Sequence, residues 1–206
     1  MPLVRGKSSE ISKGIDLENI GTALKSGVEE ERWAAARMAG DASGGLSVLR
    51  DALAVETSPR VREALFVSLA QMRTVDSAKI VLEYIRSDDA SLRASAMDAL
   101  HLMPEAVNAL IPDLLKDKDV DVRILACDLI RDQPALNSRR LIYGVLSSEE
   151  DANVCGAAVE ALAEIGDPEL LPALQSCAAR FPDNSFLLFA IDTAKERLTF
   201  QVPKFE

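Results

Sequence analysis

The sequence is poor in rings, imidazoles, thiols and cations. Six Phe, two Tyr and one Trp are all the aromatics in 206 residues, so the interior must be built from Ala, Leu, Val and Ile. A single histidine, His101, excludes any scheme that needs two imidazoles, zinc sites on His pairs among them. Three cysteines, Cys127, Cys155 and Cys177, stand 28 and 22 residues apart without Cys-x-x-Cys spacing. That set fits reduced thiols better than a disulfide framework, and a cytoplasmic location is expected. Lys and Arg total 23 against 33 Asp and Glu, a formal charge of −10. The balance opposes a grip on nucleic acid, which needs clustered cations to displace counterions. No run approaches about 18 uncharged apolar residues, so no membrane span is expected. Met1–Ile15 carries Arg5, Lys7 and Lys13 without a long apolar run and does not read as a secretory signal.

What is present is 48% apolar residues, 27% charged residues and a repeat. Arg32, Arg62, Arg93, Arg123 and Cys155 are spaced by 30, 31, 30 and 32 residues, each at the start of a small-residue segment. Three residues past each anchor stand Ala35, Leu65, Ala96, Ala126 and Ala158. Four past stand Ala36, Phe66, Met97, Cys127 and Val159. Seven past stand Ala39, Leu69, Leu100, Ile130 and Leu162. Offsets of three, four and seven trace one face of an α-helix.

Each such helix meets a stop: Gly40, the stretch after Met72, Pro104, Pro134 and Gly166. A second apolar segment follows each time, over 46–55, 77–86, 105–116, 139–146 and 169–179. The unit is helix, turn, helix, then a polar turn. Residues 16–25, with Asp16 as N-cap, and residues 184–198 read as half-units that cap the two ends. No alternating Val, Ile, Thr and aromatic run suggests strands. The expected fold is all-α, an α-solenoid of about five helix-turn-helix repeats. The expected organisation is a flexible segment 1–14, one repeat domain 15–198 and a tail 199–206. In that tail Pro203 bars helix continuation, and the two Phe either cover the last repeat or form a recognition segment.

The pattern Asp-x-x-Val-Arg-x-x-Ala-x-x-Ala-Leu resembles short HEAT-like repeats, and more narrowly those named after phycobilisome lyases. The resemblance spans roughly residues 16–198. It implies that the second helices line a concave face. Aligning those helices places Glu83 with Asp113 and Tyr143 with Gln175, with Asp51, Arg139 and Arg140 in the same rows. These seven are the candidate partner-binding residues: acidic through the middle, basic and aromatic around Arg139, Arg140 and Tyr143. A basic or amphipathic peptide is the expected occupant, and charge reversal at Arg139 and Arg140 is expected to weaken it.

The ordered arginines Arg32, Arg62, Arg93 and Arg123 read as a structural ladder, each bridging to a turn carboxylate such as Asp89, Asp119 or Asp121. Cys155 interrupts it, which predicts a weaker junction between the fourth and fifth repeats. Cys155 also reads as the most exposed thiol, its pKa lowered at a helix start; Cys127 and Cys177 read as buried hydrophobes. His101 reads as a cushion for a helix C-terminus, and Trp33 as packing on the N-terminal cap helix. No phosphate-cradling glycine loop and no nucleophile elbow occur. The expected function is a non-catalytic scaffold or adaptor for a protein or peptide partner, with no catalytic residue, metal or cofactor. The family resemblance also implies a rival, a bilin lyase or chromophore-handling subunit. Oligomeric state is not legible.

Overall fold

The structure, a computed structural model, describes residues 17–200. The N-terminal segment 1–14, the Asp16 cap and the tail beyond Phe200 lie outside the described residues. The chain groups into two compact units, divided between Val81 and Leu82.

The first unit holds α1 (Leu17–Ala23), α2 (Glu29–Ala39), α3 (Gly45–Leu53), α4 (Pro59–Met72) and α5 (Val75–Leu82). Here α2 packs on α1 and α4, while α3 packs on α2 and α4. Small side chains make the α2–α4 approach possible: Ala36 and Ala39 are fully buried beside Leu65 and Leu69. At that contact the Ser68 hydroxyl donates 2.8 Å to the Ala36 carbonyl. The turn into α3 is as tight, since a Cβ on Gly45 would fall 1.9 Å from the Ala39 carbonyl oxygen. Arg73, left-handed at φ 49°, closes α4.

The second unit holds α6 (Ala90–His101), α7 (Pro104–Asn108), α8 (Ile111–Leu114), α9 (Val120–Leu129), α10 (Ala135–Ser148), α11 (Ala152–Ile165), α12 (Leu171–Arg180) and α13 (Ser185–Phe200). Short 3₁₀ turns occupy Glu83–Arg86, Ile130–Asp132 and Pro168–Leu170. First helices stack on first helices, α9 on α11 and α11 on α13. Second helices do the same, α10 on α12.

Every residue at offsets three, four and seven from an anchor is buried, because these positions form one apolar stripe along the helix. The fold class is all-α and of the α-solenoid kind, with no strand among the described residues. Two boundaries differ from the sequence reading. The predicted 105–116 helix is broken into α7 and α8, because Pro112 has no N–H for the Asn108 carbonyl and its ring crowds that turn. Pro134 follows the 3₁₀ turn that ends at Asp132, as its reading as a stop requires, but α10 begins directly after it at Ala135 rather than at Arg139. Its fixed φ suits a helix entry.

Gly166 ends α11 in the left-handed region at φ 73°, its amide donating 2.9 Å to the Leu162 carbonyl. Gly166→Ala is expected to cost about 1 kcal/mol in urea unfolding, from the Cβ clash at positive φ. An unchanged midpoint would show that this turn relaxes freely. No described helix is long and apolar enough to cross a membrane.

Candidate functional site

Each anchor is the fourth residue of its helix, counting from the N-cap, and helical side chains lean toward the N-terminus. The guanidinium therefore reaches back into the preceding turn. Arg32, Arg62, Arg93 and Arg123 donate to the carbonyls of Ser26 (3.0 Å), Glu56 (2.7 Å), Ser87 (2.6 Å) and Asp117 (2.9 Å). In every case the acceptor lies six residues earlier. The side chain of that same acceptor residue takes the amide two positions on: Val28, Ser58, Asp89 and Asp119 respectively. The ladder thus ties each inter-repeat turn to the helix that follows it.

Two of the rungs also carry a turn carboxylate. Arg32 pairs with Glu56 (2.8 Å) and Arg123 with Glu149 (3.0 Å), each through two guanidinium nitrogens. These glutamates belong to the turn of the next repeat. Asp89 and Asp119 are helix N-caps, their oxygens turned to the Ser91, Leu92 and Asp121 amides. A cap carboxylate aimed at its own helix is poorly placed for an anchor on that helix. The guanidinium near Asp117 and Asp119 is Arg86.

The fifth rung corrects two expectations. Cys155 is fully buried rather than the most exposed thiol. Its hydrogen bond with Cys177, together with burial, raises its pKa instead of lowering it. Burial likewise pushes the Cys127 thiol up to about 12. The missing guanidinium is supplied from elsewhere. Arg180, ending α12, donates to the carbonyls of Glu149 (3.0 Å), Ser147 (3.1 Å) and Leu146 (3.0 Å), and lies 3.7 Å from the Cys155 sulfur. Glu149 is again six residues before the anchor, so the rung is present with its cation on another helix. The predicted weakness at this junction loses its physical basis.

His101 does more than cushion a helix end. Nε2 meets Asp128 at 2.9 Å and Nδ1 meets Asp132, so one imidazole links α6 to both α9 and the turn after it. The bonds to Asp128 and Asp132 raise its pKa to about 9 against partial burial. The bond to His101 holds the Asp128 carboxyl below its usual range. Arg131 adds ion pairs to Asp128 and Glu164. Trp33 is half-buried, with the guanidinium carbons of Arg60 and Arg37 at 4.7 Å and 4.9 Å from its ring.

The seven candidate residues divide between the units. Asp51 lies on α3 of the first unit, exposed and bonded to its neighbour Arg50. In the second unit Glu83, Asp113, Tyr143 and Gln175 are all exposed. Arg139 is engaged, its guanidinium held by Asp167 (2.6 Å) and by Glu169. Arg140 lines a cleft of about 680 Å³ between the second helices of two successive repeats. Pro112, Leu115 and Lys116 form its α8 side; Arg140, Leu141, Gly144, Val145 and Ser148 form its α10 side; Arg123 and residues 149–151 close it. Sequence reasoning reached Arg140 and missed Lys116, Leu141, Gly144 and Val145. The available signal was Gly144, a helix-weakening residue in mid-helix with no local turn to justify it. Among the described residues no group of three or more His, Cys, Asp or Glu is placed to hold a metal ion.

A stack of helix pairs with a ladder in its turns and a cleft between its second helices defines an all-α repeat protein. Residues 107–186 match the family described as HEAT repeats. No curated protein sequence matches it. Among solved structures it is similar to the CpcE–CpcF complex of phycocyanin lyase from Nostoc sp. PCC7120, at 16% identity, TM-score 0.40, covering 96% of this chain and 100% of that one. A designed armadillo repeat protein matches at 18% identity and TM-score 0.42, over 89% and 100% of the two chains. YibA of Escherichia coli matches at 19% identity and TM-score 0.41, over 88% and 81%.

Proposed function

We propose that this protein is a non-catalytic scaffold whose second unit binds a protein partner along its second-helix face. The observation that carries this reading is the cleft between α8 and α10. Its volume of about 680 Å³ lies in the range of binding clefts, and its lining combines the aliphatic Pro112, Leu115, Leu141 and Val145 with charged groups. Tyr143, also on α10 and 57% accessible, offers an amphipathic ring of the sort that anchors interfaces. Glu83, Asp113 and Gln175 extend the polar part of the surface, and Arg139 ties the first turns of α10 to Asp167 and Glu169.

The test is site-directed photocrosslinking in extracts of the source cells. A crosslinker replacing Tyr143 is expected to give a discrete protein adduct, and one replacing Glu160, exposed on the first-helix side of α11, is expected to give none. Adducts from Glu160 alone, or from neither site, would overturn the reading. The rival chromophore-handling role predicts instead a shifted absorbance band when a linear tetrapyrrole is added to the purified protein.

A further inference from the structure

We infer that the α8–α10 cleft selects a protein segment presenting a large apolar side chain beside a carboxylate. This rests on the partner-binding reading above and names the chemistry of the partner.

The apolar half follows from the cleft walls. Pro112 and Leu115 face Leu141 and Val145 across an opening whose α10 side contains Gly144. Gly144 is exposed, and a Cβ there would meet nothing within 4 Å, so the opening is free for a side chain from outside. Burying an apolar side chain there gains the usual area-proportional term.

The carboxylate half follows from which rim charges are already committed. Arg123 is held by Glu149 and by the Asp117 carbonyl. Glu149 in turn accepts the amides of Glu150 and Asp151. Asp151 caps α11 through the Asn153 and Val154 amides. Among the described residues Lys116 and Arg140 have neither an ion pair nor a side-chain hydrogen bond, and Glu150 is the one rim carboxylate whose oxygens are uncommitted. Lys116 and Arg140 are therefore cations that no described carboxylate of this chain pairs; the anions left beside them are Glu150 and Asp151, the latter already accepting the α11 amides. Arg140 stands one helical turn from Gly144, so its cation lies close to whatever fills that gap. A basic segment, the occupant expected from the sequence, would set its own cations against Lys116 and Arg140, neither of which is paired. Electrostatic complementarity favours the acidic one.

The experiment selects a displayed library of random twelve-residue peptides on the full chain, followed by titration of the enriched peptides. The expected motif is Phe, Leu, Ile, Met or Trp within two positions of Asp or Glu. Affinity is expected to fall about tenfold or more in Gly144→Leu and in Arg140→Glu, to weaken with added salt, and to survive Glu150→Gln. Gly144→Leu replaces a mid-helix glycine at an open position, so its melting temperature is expected to equal or exceed that of the natural protein. Arg140→Glu, at an exposed residue without partners, gives the second, independent variant. Enrichment of Lys- or Arg-flanked peptides, no enrichment, or acidic peptides that bind Gly144→Leu and Arg140→Glu unchanged would overturn the inference. A Tyr143 adduct together with a basic motif would overturn this inference alone; no adduct from Tyr143 would overturn the underlying reading.

Discussion

Arg180→Ala is expected to cost the protein about 2–4 kcal/mol in urea unfolding, the largest effect of any single side chain outside the apolar core. One guanidinium satisfies three carbonyls, of Leu146, Ser147 and Glu149, at the end of α10 and the turn after it. The last carbonyls of a helix have no partner within it. Removing the arginine leaves these half-buried groups to whatever water can enter. Phe181, 5.2 Å from the same guanidinium, loses its cation as well. Because Cys155 stands where the other repeats carry the ladder arginine, Cys155→Arg in the Arg180→Ala background is expected to recover part of the loss. Cys155→Arg alone, with Arg180 already in place, is expected to destabilise by crowding two guanidiniums into a buried site. A loss below about 0.5 kcal/mol in Arg180→Ala would show that the rung contributes little.

A second large effect belongs to His101 and depends on pH. Its folded pKa of about 9 lies above the ordinary value of 6.5. The protonated imidazole therefore stabilises the fold fully below about pH 6.5, and that contribution is lost as pH rises through 9. At the acid end Asp128, held below its ordinary 3.8, keeps its contribution above that value and loses it as pH falls further. The clamp is complete between these limits, from about pH 4 to 6.5. The side chain is 24% exposed, so solvent screening reduces the shift to about 1–2 kcal/mol. The stability difference between the natural protein and His101→Gln is expected to reach that size at pH 6 and to vanish by pH 10. An imidazole resonance titrating near 6.5 would show that no such clamp operates.

Much of the fold is legible because the core stripe is periodic. Ala36, Phe66, Met97, Cys127 and Val159 occupy equivalent positions a near-constant distance apart and are all buried. Helix geometry alone carries that inference. Local chemistry accounts for the caps: Ser58, Asp89, Asp119 and Asp151 each accept amides from the first turn of their helices. The split of the 105–116 segment was equally local, written in Pro112, but periodicity outweighed it in the reading.

Local chemistry does not extend to partners across repeats. Arg139 and Arg140 are adjacent and chemically identical, yet one is held by Asp167 and Glu169, and the other lines the cleft free of partners. Adjacent residues on a helix point about 100° apart, and which direction meets a carboxylate depends on the neighbouring repeat. His101 could not be assigned its two aspartates, 27 and 31 residues away, from spacing alone.

By itself, then, the sequence determined the helix-pair repeat, its register, its buried stripe and its Ala-rich contacts, since each depends on offsets within one helix or turn. The tertiary structure decided which cation completes the fifth rung, that Cys155 is buried like the other two thiols, which rim charges stay uncommitted and where second helices leave an opening. Those outcomes depend on side chains some 25 to 34 residues apart that meet only when one repeat is laid against the next.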